Sequence, residues 1–117
     1  MIKDMVNHYL VTALWSSNDN SDDSGGDPLD SNYDIDDIAP ATIAQAEKDC
    51  AAFYEMAKHL LEGCDDDTVG HDFWLTRNGH GAGFWDGDYK HGDELTKIAK
   101  TFGSLDPNIG GDGMIYF

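Results

Sequence analysis

Positive charge is what this chain most lacks. From Asp4 to Glu47 there are ten acidic residues and not one Lys or Arg. Eight of the acids (Asp19, Asp22, Asp23, Asp27, Asp30, Asp34, Asp36 and Asp37) fall between Ser17 and Ala39. Over 117 residues, 23 Asp and Glu face 7 Lys and Arg, a formal net charge of -16. Such a surface repels phosphates, which excludes direct nucleic-acid binding and an anionic membrane surface. It leaves a basic partner: a cation, a positively charged protein groove, or a nucleic-acid-binding protein that accepts the acidic surface in place of DNA.

Long apolar runs are also missing. Nothing approaches the roughly 20 residues of a membrane span. The opening MIKDMVNHYL carries Asp4 and His8 and no small-residue cleavage pattern, so it is not expected to be a signal peptide. Cysteine is scarce. Cys50 and Cys64 make no disulfide framework, and mostly helical chain between them would hold them about 20 Å apart at roughly 1.5 Å per residue. Two reduced thiols of a cytoplasmic protein are expected. Catalytic spacings are absent as well: there is no H-x-x-x-H, no C-x-x-C and no nucleophile elbow.

What is present suffices for one domain spanning residues 1–117, with an acidic loop at about 17–39. Hydrophobic content is 40%, with five Phe, three Trp and five Tyr, too aromatic for a disordered acidic tail. Ile2, Met5, Val6, Tyr9, Leu10, Ala13 and Leu14 recur every three or four residues and predict a helix over 2–16. In the loop, Leu29, Tyr33, Ile35 and Ile38 are the residues able to pin it to a core. Pro40 sits where a helix favours its first residue. The stripe Ile43, Ala46, Cys50, Phe53, Ala57 and Leu60 predicts a helix to Leu61, with Gly63 as its stop and Phe53 and Leu60 as core.

Residues 72–86 read differently. His71-Asp-Phe-Trp-Leu-Thr-Arg77 is aromatic and alternating, Asn78-Gly79 is a strong hairpin-turn signal, and Ala82 to Asp86 reads as the returning strand. A two-residue turn places Phe73, Leu75, Ala82 and Phe84 on one face. A four-residue loop pairs Trp74 with Trp85 instead, and both registers stand. Asp93 is the expected cap of a third helix carrying Leu95, Ile98, Ala99 and Phe102, stopped by Gly103. Met114 to Phe117 completes the pattern as a final strand. The order α-α-β-β-α-β predicts an α+β fold, a small antiparallel sheet packed on two to three helices.

Four constellations invite chemistry. Asp19, Ser21, Asp23, Asp27 and Asp30 fall at positions 1, 3, 5, 9 and 12 of an EF-hand-like count. Ser24 stands where glycine is needed and the last ligand is Asp rather than a bidentate Glu, so a solvated acidic loop is the better reading. His71, His80, His91, Asp72, Asp86 and Asp88 surround the expected hairpin and offer a metal site or general base without a recognised spacing. Gly79, Gly81 and Gly83 resemble a phosphate loop only in composition, with Arg77 as the one nearby base. Trp74 and Trp85 are suited to stacking a base, but the electrostatic funnel of such binders is missing. No cofactor is expected.

The stretch His71-Asp-Phe-Trp-Leu-Thr-Arg-Asn-Gly-His-Gly-Ala-Gly-Phe-Trp-Asp86 resembles a signature of small acidic proteins encoded in bacteriophage genomes. Ala13 to Ser17, the Asp-rich loop, Tyr33 to Pro40 and Gly110 to Tyr116 are similar too. The resemblance carries no catalytic residues. It implies a phage origin and action in the bacterial host cytoplasm, where small acidic phage proteins disarm host systems that handle DNA, some by presenting carboxylates in place of phosphates.

The leading expectation is therefore a phage-encoded acidic interaction protein, a DNA mimic inhibiting a basic nucleic-acid-binding host defence protein, and not an enzyme. Its partner-binding residues would be Asp19, Asp22, Asp23, Asp27, Asp30, Asp34, Asp36 and Asp37, together with Trp74 and Trp85. Mimicry needs carboxylates held in place, since duplex phosphates repeat about every 3.4 Å along each strand, so the loop has to be ordered. Two alternatives stand beside it. One is a phage accessory module that binds protein through the Trp-rich hairpin. The other is a small metal-assisted enzyme using His80, Asp86 and Asp88.

Overall fold

A computed structural model describes residues 2–17, 28–61, 63–79, 83–84 and 89–117. Four α-helices dominate them: α1 (Ile2–Trp15), α2 (Pro40–Ala57), α3 (Asp66–Arg77) and α4 (Gly92–Lys100). Three short 3-10 helices lie between them, Leu29–Ser31, Ile35–Asp37 and Lys58–Leu60. Strands β1 (Asn108–Ile109) and β2 (Ile115–Tyr116) form a two-stranded antiparallel ladder with Asn108 opposite Tyr116 and Ile109 opposite Ile115.

The predicted helices at 2–16 and from Pro40 are α1 and α2, with Pro40 in the first turn. Met5, Val6, Tyr9, Leu10, Ala13 and Leu14 bury one face of α1, and Ala46, Cys50, Phe53 and Ala57 one face of α2. The α2 path tightens into the 3-10 turn Lys58–Leu60, and Gly63 adopts φ 82 beyond it, a backbone conformation that glycine adopts without a Cβ penalty. The last helix begins one residue before Asp93, with His91 at its N-cap and Asp93 and Glu94 in its first turn.

The expected α+β architecture is wrong, and the error lies in residues 66–79; of the expected returning strand, Ala82, Trp85 and Asp86 lie outside the described residues. Asp66–Arg77 is a helix, not the first strand of a hairpin. Asn78-Gly79 closes that helix rather than turning a hairpin: Asn78 is its C-cap and Gly79 follows at φ 70. A left-handed glycine serves a helix terminus as well as a hairpin turn. The aromatic run misled for a second reason. Every residue from Asp72 to Arg77 is buried, and a helix surrounded by protein carries no 3.6-residue polarity pattern to read. The only strand pairing among the described residues is the short C-terminal ladder and one parallel bridge, Ile38 to Ile115.

Helix α3 is the central element. Gly70 lets α1 lie directly on it, because a Cβ at Gly70 would come within 2.1 Å of the Met5 carbonyl oxygen. Around α3 the core is aromatic. Phe53 stacks on Phe73 at 4.3 Å and on Phe84 at 5.4 Å between ring centroids, and Phe102 meets Phe73 edge-on at 5.1 Å. Tyr9 packs against both Phe73 and Trp74. Phe53 is fully buried and Leu60 is buried at the end of the same stripe.

Arg77 ties this assembly together. Its guanidinium is enclosed and donates to the Gly103 carbonyl, the Phe102 carbonyl, the Tyr9 hydroxyl and Asp49 Oδ2, each at 2.8 Å. It also lies over the rings of Phe73 and Phe102 at 5.7 and 5.6 Å. One side chain of α3 thus joins α1, α2 and the turn after α4. The planar fork of arginine suits this multi-acceptor site.

Candidate functional site

The second half of the acidic segment is built structure. Leu29 and Ile38 are each 1% exposed and anchor it to the core. The Leu29 amide donates to the Ser17 carbonyl at 2.8 Å, and the Ala39 amide donates to the Ile115 carbonyl at 2.9 Å. The far end of the segment is thereby clipped to the C-terminal strand. Between these anchors Asp34 and Asp37 cap each other's turn. The Asp36 amide donates to Asp34 Oδ1 at 2.9 Å, and the Asp34 amide donates to Asp37 Oδ2 at 2.9 Å. The acids themselves supply the capping box that fixes their local backbone.

This leaves Asp30, Asp34 and Asp36 exposed on a fixed platform, with Asp37 half-exposed. Among the described residues no Lys, Arg or His forms an ion pair with any of the four; the pairs present are Arg77–Asp49, Lys58–Glu55, His8–Asp67, His71–Asp72 and His91–Glu94. Asp30, Asp34 and Asp36 also line a groove of about 410 Å³ together with Val11, Leu14, Tyr33 and Ile35. The groove is therefore lined by acidic and apolar residues together.

A second polar cluster lies where α3 meets α1 and the segment before α4. His71 Nδ1 is 2.9 Å from Asp72 Oδ1, and the Tyr89 hydroxyl donates to Asp72 Oδ2 at 2.7 Å. Burial, reinforced by the hydrogen bond to Asp72, pushes the Tyr89 phenol well above its ordinary range, so it stays a donor. Trp15, largely exposed, stacks on the His71 ring at 5.5 Å. An imidazole oriented by a carboxylate is the frame of a general base. Here it has no nucleophile: no Ser, Thr or Cys among the described residues hydrogen-bonds His71. No group of three or more His, Cys, Asp or Glu suited to a metal ion occurs among the described residues.

The remaining sequence-predicted residues divide clearly. Asp30, Asp34, Asp36 and Asp37 come together on one platform. Asp19, Asp22, Asp23 and Asp27, with most of the EF-hand-like count, lie outside the described residues, as do Trp85, His80, Asp86 and Asp88. Trp74 is not an exposed anchor: it is 1% exposed, and its indole Nε1 donates to Ser16 Oγ at 2.9 Å. The phosphate-loop reading fails on position, since Gly79 follows the C-terminus of α3, where the helix dipole disfavours an anion. Gly83 instead packs on Thr76, whose Oγ1 accepts the Phe84 amide at 3.0 Å. Among the described residues no helix is long and apolar enough to cross a membrane.

Both cysteines are free thiols. Burial, with the Asp49 charge second, pushes the Cys50 thiol far above its ordinary range, and burial also raises Cys64. Neither is set up as a nucleophile. Sequence reasoning missed the groove formed by Val11 and Leu14 with the acidic turns. Of its lining, Leu14, Tyr33 and Ile35 stand out in the sequence, but as core and anchor residues rather than as a groove.

No family model, curated protein or solved structure matches the chain.

Proposed function

We propose that this chain is a binding protein whose acidic platform occupies a basic surface of another protein, one that otherwise handles nucleic acid. One observation carries the reading: Asp30, Asp34 and Asp36 are exposed, have no cationic partner among the described residues, and lie on a segment whose backbone is fixed by the Asp34–Asp37 capping box and by buried Leu29 and Ile38. An array of unneutralised carboxylates on a fixed backbone attracts a basic site at long range and loses little backbone freedom on docking. The net charge of -16 adds to the attraction and keeps the chain itself off DNA. The resemblance of 71–86 to small acidic bacteriophage proteins supports a host defence or repair component as the class of target and the bacterial cytoplasm as the place of action.

The hairpin-module alternative loses support because 72–77 is helical and Trp74 is enclosed. The test is affinity capture from a bacterial lysate with wild-type protein and with Asp30→Asn/Asp34→Asn/Asp36→Asn. Asn retains a cap acceptor at position 34, so the platform keeps its shape while losing charge. Wild type should capture a basic DNA-handling protein that duplex DNA displaces, and the variant should capture little of it. Equal capture by the two, or capture insensitive to DNA, contradicts the reading.

A further inference from the structure

We infer that the groove beside the acidic platform receives an apolar side chain of the partner, so that the partner is a basic segment with an apolar anchor rather than a uniformly charged surface. This rests on the reading that Asp30–Asp37 is the contact surface, and it names what that surface recognises.

The groove has an apolar lining that charge does not explain. Val11 and Leu14 of α1, with Tyr33 and Ile35 of the acidic segment, line about 410 Å³ together with Asp30, Asp34 and Asp36. That volume suits the burial of one or two side chains. Val11 is 40% exposed, and Trp15, one helical turn further along α1, is 42% exposed. Leu14 is buried and Tyr33 and Ile35 pack partly on the core, but Val11 presents apolar surface to solvent within the groove, which a docked side chain would cover.

Charge complementarity selects the occupant. Phosphate is repelled by the carboxylates of Asp30, Asp34 and Asp36 that line the groove. A second copy of this chain carries the same -16 and is repelled as well. An acidic peptide is excluded for the same reason. A polypeptide segment with Arg or Lys on either side of a Leu-like residue satisfies both parts: its cations meet the carboxylates and its apolar side chain fills the groove. Arginine serves best, since its fork pairs bidentately with a carboxylate.

The test is a titration of the full-length, isotope-labelled chain followed by amide and methyl NMR. Two synthetic peptides are compared, one with arginines flanking a central leucine and its twin with glycine in place of the leucine, identical in net charge. The leucine peptide should bind about tenfold or more tightly than its twin, the factor expected for burying a leucine-sized group. Shifts should centre on Val11, Leu14, Tyr33 and Ile35. Val11→Glu should abolish the preference while leaving the glycine twin bound as well as before or better, because it removes apolar surface and adds negative charge. Ile35→Ser is the second variant, used if Val11→Glu alters the spectrum away from the groove. Equal affinity for the two peptides with shifts confined to Asp30, Asp34 and Asp36 overturns the groove and leaves the acidic platform standing. Shifts that avoid residues 30–37 altogether overturn both.

Discussion

Replacing Arg77 tests the physical account of the fold most sharply. Its guanidinium, with 3% of the side chain exposed, satisfies two backbone carbonyls, the Tyr9 hydroxyl and Asp49, whose side chain is 17% exposed. Arg77→Met keeps the length and the apolar contact with Phe73 and Phe102 but removes every donor. Asp49 is then a poorly solvated carboxylate without its cation, and the Phe102 and Gly103 carbonyls lose their partner. Breaking one side of a buried ion pair costs about 3–5 kcal/mol, a large share of the roughly 5–15 kcal/mol that holds a domain of this size. Arg77→Lys should recover only part of the loss, because one ammonium cannot span acceptors on α1, α2 and the turn after α4 at once. Arg77→Met combined with Asp49→Ala should cost less than the two single changes added, since the second removes the stranded charge. Urea unfolding followed by far-ultraviolet circular dichroism and by tryptophan fluorescence, to which the buried Trp74 contributes, measures all three. An Arg77→Met protein within about 1 kcal/mol of wild type would refute the claim that this residue joins the helices.

Gly70→Ala should destabilise by about 1–3 kcal/mol or more, because its Cβ meets the Met5 backbone. If α1 were not packed on α3, the same change would instead stabilise by up to roughly 1 kcal/mol through helix propensity, so the sign in a denaturation curve decides. Burial holds Tyr9 and Tyr89 protonated above the ordinary phenol value of 10.0. A folded pKa raised above the unfolded one contributes stability that is complete below pH 10 and is lost as pH rises beyond it. Ultraviolet titration should therefore show these two phenols ionising only as the chain unfolds; reversible ionisation in the folded protein would contradict their burial. Cys50 should resist thiol reagents at neutral pH until the protein unfolds, with Cys64 reacting first; a mass-spectrometric time course that finds Cys50 modified first would place it at the surface.

Legibility in the sequence followed burial geometry. Helices with one buried stripe, α1 and α2, could be read from spacing, and so could Pro40 at a helix start and Phe53 in the core. Helix α3 could not, because continuous burial from Asp72 to Arg77 erases the stripe and Asn78-Gly79 fits two kinds of chain reversal. At the site, the type of charge was legible, and so were the apolar residues that pin the acidic segment. Its order was not fully legible, because one anchor is Ile115, near the far end of the chain, and pairing over that separation leaves no local pattern. The groove was hidden for the same reason: Val11 and Leu14 belong to one predicted element, Tyr33 and Ile35 to another. Arg77, the chain's single arginine, was visible as an isolated cation in an aromatic run, and its role emerged only from the acceptors gathered around it.

The central claim is that the carboxylates of Asp30, Asp34 and Asp36, on a fixed backbone, draw in a basic partner. Its most direct test is the association rate with the captured partner as a function of ionic strength, for wild type and for Asp30→Asn/Asp34→Asn/Asp36→Asn. The wild-type rate should fall about tenfold or more between low and physiological salt, as screening shortens the reach of the platform to roughly 8 Å. The neutralised variant should associate more slowly at low salt and show a flatter dependence, with its melting temperature unchanged or raised. Superimposable rate curves for the two proteins would mean that the platform does not steer binding, and the account would be wrong.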